Sequence, residues 1–149
     1  MTNQPFSIVE EESFRALMLL GKQYSLHIPQ RETIKGKIQS MYLEKKEGIK
    51  AKLQAHSGKI SLVVDCWSSR SGKSFHGILA TFIDSDWNFQ QLILDFDILR
   101  GSHKGKNLAK SVHDVLCEYD ITSRLLAITS DNASNMNTMF AELGKLLQP

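Results

Sequence analysis

Long apolar runs, paired cysteines and nucleotide-binding loops are all missing from this chain of 149 residues. No segment approaches the roughly 18 apolar residues that cross a membrane, so the sequence predicts no membrane partner. The N-terminal residues lack the basic and apolar regions of a secretory signal peptide. The two cysteines, Cys66 and Cys117, form no metal-type pair, so we expect no zinc and a reducing compartment.

Motifs of two large enzyme classes are also absent. A Gly-x-x-x-x-Gly-Lys-Ser/Thr loop would indicate nucleotide hydrolysis, and a Gly-x-Ser-x-Gly turn would indicate a serine hydrolase. The chain has neither. Its net charge of +2 permits nucleic-acid binding but does not argue for it. The length fits one domain, with or without an extension.

The sequence divides into a helical lead-in segment, residues 1–57, and a strand-rich domain, residues 58–149. Within the lead-in, Ser7 and Glu10 have the spacing of a capping box and predict the start of a helix. A longer helix is predicted from about residue 32 to 55, because apolar residues recur there at helical spacing. These residues are Ile34, Ile38, Met41, Tyr42, Ile49 and Leu53. Lysines on its other face indicate either a solvated surface or a phosphate-tracking one.

The second part alternates between strand and helix patterns. Strands are predicted at residues 60–66, 76–84, 87–98 and 124–130. An amphipathic helix is marked by Leu108, Val112, Val115, Leu116 and Tyr119, and a last helix is predicted to start near Asn132. The order predicts an α/β fold with a mixed sheet: three antiparallel strands, a helix, a parallel strand and a helix. The helical crossover should return strand four beside strand one.

Two aspartates come at the ends of two predicted strands. Asp65 follows residues 60–64, which are apolar except for Ser61, and Asp131 follows residues 125–130. If strands one and four are neighbours, the two carboxylates lie at the same edge of the sheet, on strands about 4.8 Å apart. Two unscreened carboxylates near 4 Å repel by roughly 4 kcal/mol at an effective dielectric of about 20. A divalent cation removes that repulsion, and oxygen ligands favour Mg²⁺ or Mn²⁺.

This pattern by itself leaves two interpretations open. A pair of metal-bound carboxylates supports phosphoryl transfer on phosphate esters. An aspartate after an apolar strand also commonly caps a turn or the next helix.

The sequence resembles the hAT superfamily of DNA transposases over nearly its whole length. The resemblance is carried first by two acidic motifs, DCWSS at residues 65–69 and TSDNASN at residues 129–135. Further similar segments are KSFHG at 73–77, FIDSDW at 82–87, HKGKNLA at 103–109, PFSIVE at 5–10 and IPQRETI at 28–34. Two motifs in the family's order are far more specific than either one alone.

This resemblance implies a ribonuclease-H-like fold, Mg²⁺ or Mn²⁺ held by Asp65 and Asp131, and DNA transposition in the nucleus. It implies transposon-end DNA as the partner, and a possible homo-oligomer formed through regions absent from this sequence. The family's third acid is a glutamate far downstream, and Glu142 is too close to Asp131 in the same predicted helix to replace it. We therefore expect a partial, incomplete catalytic domain that is inactive alone. The family's zinc-binding BED finger is also missing.

Some residues depart from the family pattern or surround the motifs. Lys104, Lys106 and Met136 stand where the family often has other residues, and Met136 is expected in the core. Arg70 and Lys73, together with His103, are candidate nucleic-acid contacts, with a solvated loop as the alternative. Trp67 is expected to lie on the sheet face opposite Asp65 and to pack there.

Three functions remain open at this point. The first is part of a hAT-type transposase that carries two of three metal-binding acids. The second is a domesticated or decayed remnant that acts as a DNA- or protein-binding module. The third, a stand-alone nuclease, needs another acid, for which the candidates are Asp95, Asp97, Asp114 and Glu118.

Overall fold

The computed structural model describes residues 4–24, 26–98, 105–131 and 133–148. The chain forms two compact units, Met1–Glu47 and Gly48–Pro149. The predicted residues His103 and Asn132 lie outside the described residues.

The first unit is helical, as predicted, but it starts differently. A 3₁₀ helix, Phe6–Glu10, precedes helix α1, Glu12–Leu19, and helix α2 begins at Arg31. The predicted capping box is wrong, because Ser7 lies inside the 3₁₀ helix and α1 has no side-chain cap. The Glu10 carboxylate instead accepts a hydrogen bond from the Arg31 backbone N–H at 3.3 Å, so it caps α2.

Helix α2, Arg31–Ala55, has the predicted extent, but its predicted apolar stripe is covered by the core only near its C-terminal end, at Ile49 and Leu53. Ile38, Met41 and Tyr42 are 48%, 51% and 57% exposed. Leu53 is the buried residue of this helix, and it belongs to the core of the second unit. Helical spacing indicates which residues share a face, but it cannot indicate whether another element covers that face.

The second unit is built on the predicted mixed sheet. Its strands are β1 (Ile60–Ser68), β2 (Ser74–Ile83), β3 (Phe89–Ile98) and β4 (Leu125–Ser130). They lie in the order β3-β2-β1-β4, with β1 antiparallel to β2, β2 antiparallel to β3, and β1 parallel to β4. The α/β fold class and the return of strand four beside strand one are therefore confirmed.

One face of the sheet carries the core beneath helices α3 (Gly105–Glu118) and α4 (Ser134–Leu146). Alternate strand residues point into it, and the helices supply the other side. The core residues with at most 2% exposure include Leu62, Val64, Ile78, Ala80, Leu108, Val112, Leu116, Met136, Met139 and Leu143. The core position expected for Met136 is confirmed.

Glycine at the start of α3 allows the two helices to approach closely. A Cβ atom on Gly105 would lie 2.5 Å from the backbone nitrogen of Met139 and 2.7 Å from the carbonyl oxygen of Asn135. Real Cβ atoms do not approach backbone atoms this closely. Helices α3 and α4 can therefore pack at this distance only because residue 105 is glycine.

Polar side chains tie the end of α2 to the loop between α3 and β4. The Arg124 guanidinium donates hydrogen bonds to the carbonyl oxygens of Leu53, at 2.7 Å, and of His56. The Gln54 side-chain amide donates to the Tyr119 carbonyl oxygen at 2.6 Å. A cation at the last carbonyls of a helix satisfies acceptors that lack helical partners and matches the helix dipole.

The opposite face of the sheet, here called the open face, is apolar and exposed. It contains the exposed residues Trp67, Ile83, Phe89, Ile93, Phe96, Ile98 and Leu126. Phe89 and Phe96, at the two ends of β3, are 65% and 61% exposed. An exposed apolar face of this extent usually marks an interaction surface.

Candidate metal centre

Strands β1 and β4 bring the two predicted acids together at one edge of the sheet. Val64 of β1 pairs with Ser130 of β4 in parallel register. Asp65 is the next residue on β1, and Asp131 follows the last residue of β4. Because parallel strands in register advance together, both aspartates leave the paired strands at the same level. Both are exposed to solvent.

The thiol of Cys66 lies within electrostatic reach of both carboxylates. Burial raises the pKa of Cys66 to about 11, and the charges of Asp65 and Asp131 contribute to the rise. Negative charge near a thiol disfavours the thiolate. The thiol therefore stays protonated at neutral pH. Its side chain packs against the hydrophobic core.

The Asp131 carboxylate makes a weak contact in the turn after β4. Its Oδ1 accepts a long, 3.5 Å hydrogen bond from the Ala133 backbone N–H, and the Ser130 hydroxyl donates to the Asp131 carbonyl oxygen at 3.0 Å. Helix α4 has Ala133 at its N-cap position and no side-chain cap. Asp131 is therefore not a side-chain cap of α4, while its long hydrogen bond from Ala133 is a weak form of the turn contact that the alternative interpretation allows.

Aromatic rings lie on the same face of the sheet as Asp65. Asp65 pairs with Gly77 of β2, which pairs with Phe96 of β3. The Trp67 ring lies above Gly77, 3.6 Å from the position that a Cβ atom would take. Trp67 is two residues beyond Asp65, so the two side chains share a face. The expectation that Trp67 lies on the opposite face is wrong.

Three rings form a cluster on this face. The centroids of Trp67 and Phe75 are 5.9 Å apart, those of Trp67 and Phe96 are 5.5 Å apart, and those of Phe75 and Phe96 are 6.0 Å apart. These separations lie in the range of favourable aromatic pairs. Sequence reasoning missed Phe75 and Phe96 as neighbours of the site, although the hairpin register would have placed them there.

The predicted basic residues lie on the turn that follows β1. Arg70 and Lys73 are exposed. The Ser69 backbone N–H donates to the Lys73 carbonyl oxygen at 2.7 Å, and Gly72, with φ of 74°, allows the tight turn. The turn therefore presents two cations at the same end of the sheet as Asp65. Their role in binding nucleic acid stays a prediction.

The other candidate acids lie together, but on a different surface. Asp95, Asp97, Asp114 and Glu118 line a groove of about 790 Å³ between β3 and α3, together with the buried His76. The Nε2 atom of His76 is 3.0 Å from Asp95 Oδ2 and 3.1 Å from the Ser111 hydroxyl. Both partners contact the same ring nitrogen, so this is not a serine–histidine–aspartate relay, which needs one partner on each nitrogen.

The carboxylate oxygens at this edge of the sheet are the type of ligand that Mg²⁺ and Mn²⁺ prefer. Two exposed carboxylates can bind Mg²⁺ or Mn²⁺ and leave room for water ligands. In the part of the chain that the structure describes, no group of three or more His, Cys, Asp or Glu is arranged to hold a metal ion. Glu142 forms an ion pair with Lys145, and a hydrogen bond from Lys145 holds the pKa of Glu142 below its usual value.

Reactivity of the two thiols tests the electrostatics of this edge. With a pKa of about 11, Cys66 should react with iodoacetamide at pH 8 about a hundredfold more slowly than a thiol of ordinary pKa. The exposed Cys117 provides the internal reference. Asp65→Asn should lower the pKa of Cys66 and speed its modification, because one of the two nearby negative charges is removed. Mass spectrometry of both cysteines between pH 7 and 10 measures this, and equal rates at pH 8 would contradict it.

Comparison with known proteins identifies the family. Residues 63–149 match the family described as the ZBED1 RNase-like domain. A putative transcriptional regulator, tpeD, of Talaromyces stipitatus is 36% identical over 97% of this chain and 17% of its own length. A putative AC transposase of Zea mays is 33% identical over 90% of this chain and 16% of its own length. The BED-domain protein RICESLEEPER 3 of Oryza sativa is 24% identical over 92% of this chain and 18% of its own length.

These relatives are much longer than this chain, which limits what their names say about it. The chain spans less than a fifth of the length of these relatives. Within the ranges that the structure describes, no helix is long and apolar enough to cross a membrane. The family match covers the whole sheet beyond the start of β1, including both acidic motifs, and the chain therefore belongs to the ZBED1 RNase-like domain family as a hAT transposase-like sequence.

Proposed function

We propose that this chain contributes two metal-binding acids to phosphoryl transfer on DNA. The observation that carries the proposal is the parallel register of Val64 with Ser130, which sets Asp65 and Asp131 side by side at one edge of the sheet. The maize relatives named as AC transposases support DNA as the substrate. Mg²⁺ or Mn²⁺ is the expected cation, transposon-end DNA the expected partner, and the nucleus the expected location.

Each part of the edge has a role in this proposal. When bound, the metal would activate the attacking hydroxyl and stabilise the leaving oxygen. Asp65 and Asp131 hold the negative charge that attracts it. Arg70 and Lys73 supply positive charge for a DNA phosphate near the same edge. Gly77 has no side chain, which leaves room for the Trp67 ring to lie above the backbone beside Asp65.

The pair is an incomplete set for catalysis. The fold brings Asp65 and Asp131 together, while the remaining candidate acids lie in the separate groove beside α3. We therefore propose that the chain alone binds the cation weakly and does not cut DNA.

Metal titration gives the direct test. Mn²⁺ binding followed by electron paramagnetic resonance should weaken at least tenfold in Asp65→Asn and in Asp131→Asn, because each substitution removes one of two anionic ligands. Asp120→Asn is the matched control: Asp120 is exposed in the turn after α3, is not one of the candidate acids, and has a φ of 52° that asparagine tolerates. It should bind Mn²⁺ as the unmodified chain does.

Two outcomes would overturn parts of this proposal. Equal Mn²⁺ binding in the Asp65→Asn and control variants would remove the metal site. Robust nicking of supercoiled plasmid by the chain alone, lost in Asp65→Asn, would show that two acids suffice for cleavage.

A binding module without catalysis is the second candidate. It is favoured by the position of the remaining candidate acids, which lie in the groove beside α3 and away from Asp65 and Asp131. The relative named as a transcriptional regulator supports the same alternative. This function predicts weak, salt-sensitive DNA binding that is unchanged in Asp65→Ala and reduced in Arg70→Ala with Lys73→Ala. Fluorescence anisotropy at several salt concentrations distinguishes it from metal-dependent binding.

A further inference from the structure

We propose that two copies of this chain pair through Trp87. Each Trp87 side chain would fill the apolar pocket formed by Ile83, Phe89 and Leu126 of the other copy. The surface lies at the end of the sheet far from Asp65 and Asp131, so the proposal does not depend on metal chemistry.

Trp87 is held in an unusual and exposed conformation. It lies in the turn between β2 and β3, its side chain is 87% exposed, and its φ is 62°. A left-handed backbone conformation is uncommon for a large side chain, and such residues persist where the surrounding structure enforces them. Tryptophan is also among the residue types most enriched at the energetic centres of protein interfaces.

A hydrogen-bond network around Asp84 enforces this turn. The Asp84 carboxylate accepts hydrogen bonds from the backbone N–H groups of Asp86, at 3.0 Å, and Asn88, at 2.9 Å. The side-chain amide of Gln90 donates to its other oxygen at 2.7 Å. The Trp87 backbone N–H donates to the Asp84 carbonyl oxygen at 3.1 Å. The exposed ring is therefore presented by a fixed backbone, which lowers the entropic cost of docking.

A pocket of matching character lies beside the turn. It has a volume of about 380 Å³, and its lining includes the apolar residues Ile83, Phe89 and Leu126 together with Ser61, Thr81 and Lys59. Ile83, Phe89 and Leu126 are 48%, 65% and 67% exposed. A concave apolar surface that large can accept an aromatic ring system.

Charge complementarity favours a second copy as the occupant. The turn that carries Trp87 is acidic, with Asp84 and Asp86, whereas Lys59 is one of the residues that line the pocket. A two-fold pair needs a surface that complements itself. Because this surface holds both Trp87 with its acidic neighbours and a pocket that contains Lys59, each copy can provide what the other needs.

The expected area fits a reversible dimer. A buried tryptophan contributes about 200 Å². Half of a four-stranded sheet face, with strands about 4.8 Å apart, adds roughly 300 Å². The total of about 1,000 Å² for two copies reaches the lower limit of specific interfaces and predicts weak, concentration-dependent pairing.

Sedimentation velocity of the full chain over about 1–100 µM tests the proposal, since small interfaces give micromolar affinities. We expect a monomer–dimer equilibrium. Trp87→Gly should raise the dissociation constant at least tenfold while leaving the fold intact, because glycine adopts a φ of 62° without strain. Phe89→Lys should have the same effect. Phe96→Lys is the matched control, on the same strand with similar exposure, and should still dimerise.

Charge exchange provides an independent arm. Lys59→Glu should weaken the dimer by placing like charges together, and adding Asp86→Lys should restore it. A chain that stays monomeric throughout the concentration range would overturn the proposal. A dimer that survives Trp87→Gly but is lost in Phe96→Lys would overturn it too, because pairing would then use the other end of the open face.

Discussion

Gly105→Ala should lower the free energy of unfolding by about 3 kcal/mol, since overpacking against immobile backbone falls at the upper end of such costs. The added methyl group would lie 2.5 Å from the Met139 nitrogen, 2.6 Å from Thr138 Cβ and 2.7 Å from the Asn135 carbonyl oxygen. Two of these are backbone atoms, so no side chain can rotate away to relieve the contact. Helix α3 must separate from α4, and the midpoint of thermal unfolding should fall by roughly 10 °C.

Gly144→Ala is the matched control for this effect. Gly144 lies within α4, and a Cβ atom there would have no neighbour within 4 Å. The same substitution should therefore stabilise the fold by about 0.5–1 kcal/mol through helix propensity. Urea denaturation followed by circular dichroism measures both variants. If Gly105→Ala unfolded at the same urea concentration as the unmodified chain, the close helix contact would be disproved.

Arg124→Met should destabilise the fold by about 2–3 kcal/mol, because it removes charged hydrogen bonds and leaves carbonyl acceptors without partners. Arg124 donates to the carbonyl oxygens of Leu53 and His56, at the end of α2. The methionine keeps most of the apolar stem, so the effect isolates the guanidinium. The end of α2 should loosen first, and hydrogen exchange of its last turn should accelerate more than exchange in the sheet.

Arg70→Met serves as the control for losing one arginine charge. Arg70 is exposed on the turn after β1, and its replacement should change the free energy of unfolding by less than about 0.5 kcal/mol. Equal unfolding curves for Arg124→Met and Arg70→Met would mean that the Arg124 contacts contribute nothing to stability. The same Arg70→Met protein also tests DNA binding without a stability change.

The sheet is predictable from the sequence because its signals are local and periodic. Apolar alternation locates all four strands, and the crossover rule places β4 beside β1, which is enough to predict Asp65 and Asp131 at one edge. The core position of Met136 follows from the same helical periodicity. These signals depend on which side chains face water, and the order of apolar and polar residues within each strand or helix shows this directly.

Contacts made across the chain are not predictable in this way. No short sequence pattern indicates that Arg124 binds carbonyl groups about seventy residues earlier in the chain. The spacing of Ser7 and Glu10 likewise does not indicate that Glu10 caps α2 instead of the helix that contains Ser7. The exposed stripe of α2 shows that periodicity fixes a face without fixing its partner. The placement of Trp67 was wrong for a simpler reason, since residues two apart on a strand share a face.

The parallel pairing of β1 with β4 also determines at which stage of folding Asp65 and Asp131 are brought together. The hairpins of β1, β2 and β3 join neighbouring segments, whereas the pairing of Ile60 with Leu125 joins segments on either side of β2, β3 and α3. Closing a long loop costs entropy before its contacts compensate, so distant pairings form late in folding. We therefore expect Asp65 and Asp131 to stay apart during most of folding. Their mutual repulsion should then slow the late step in which β4 pairs with β1. If the pair binds a divalent cation as proposed, that cation should speed this step during refolding and leave the formation of the three-stranded meander unchanged.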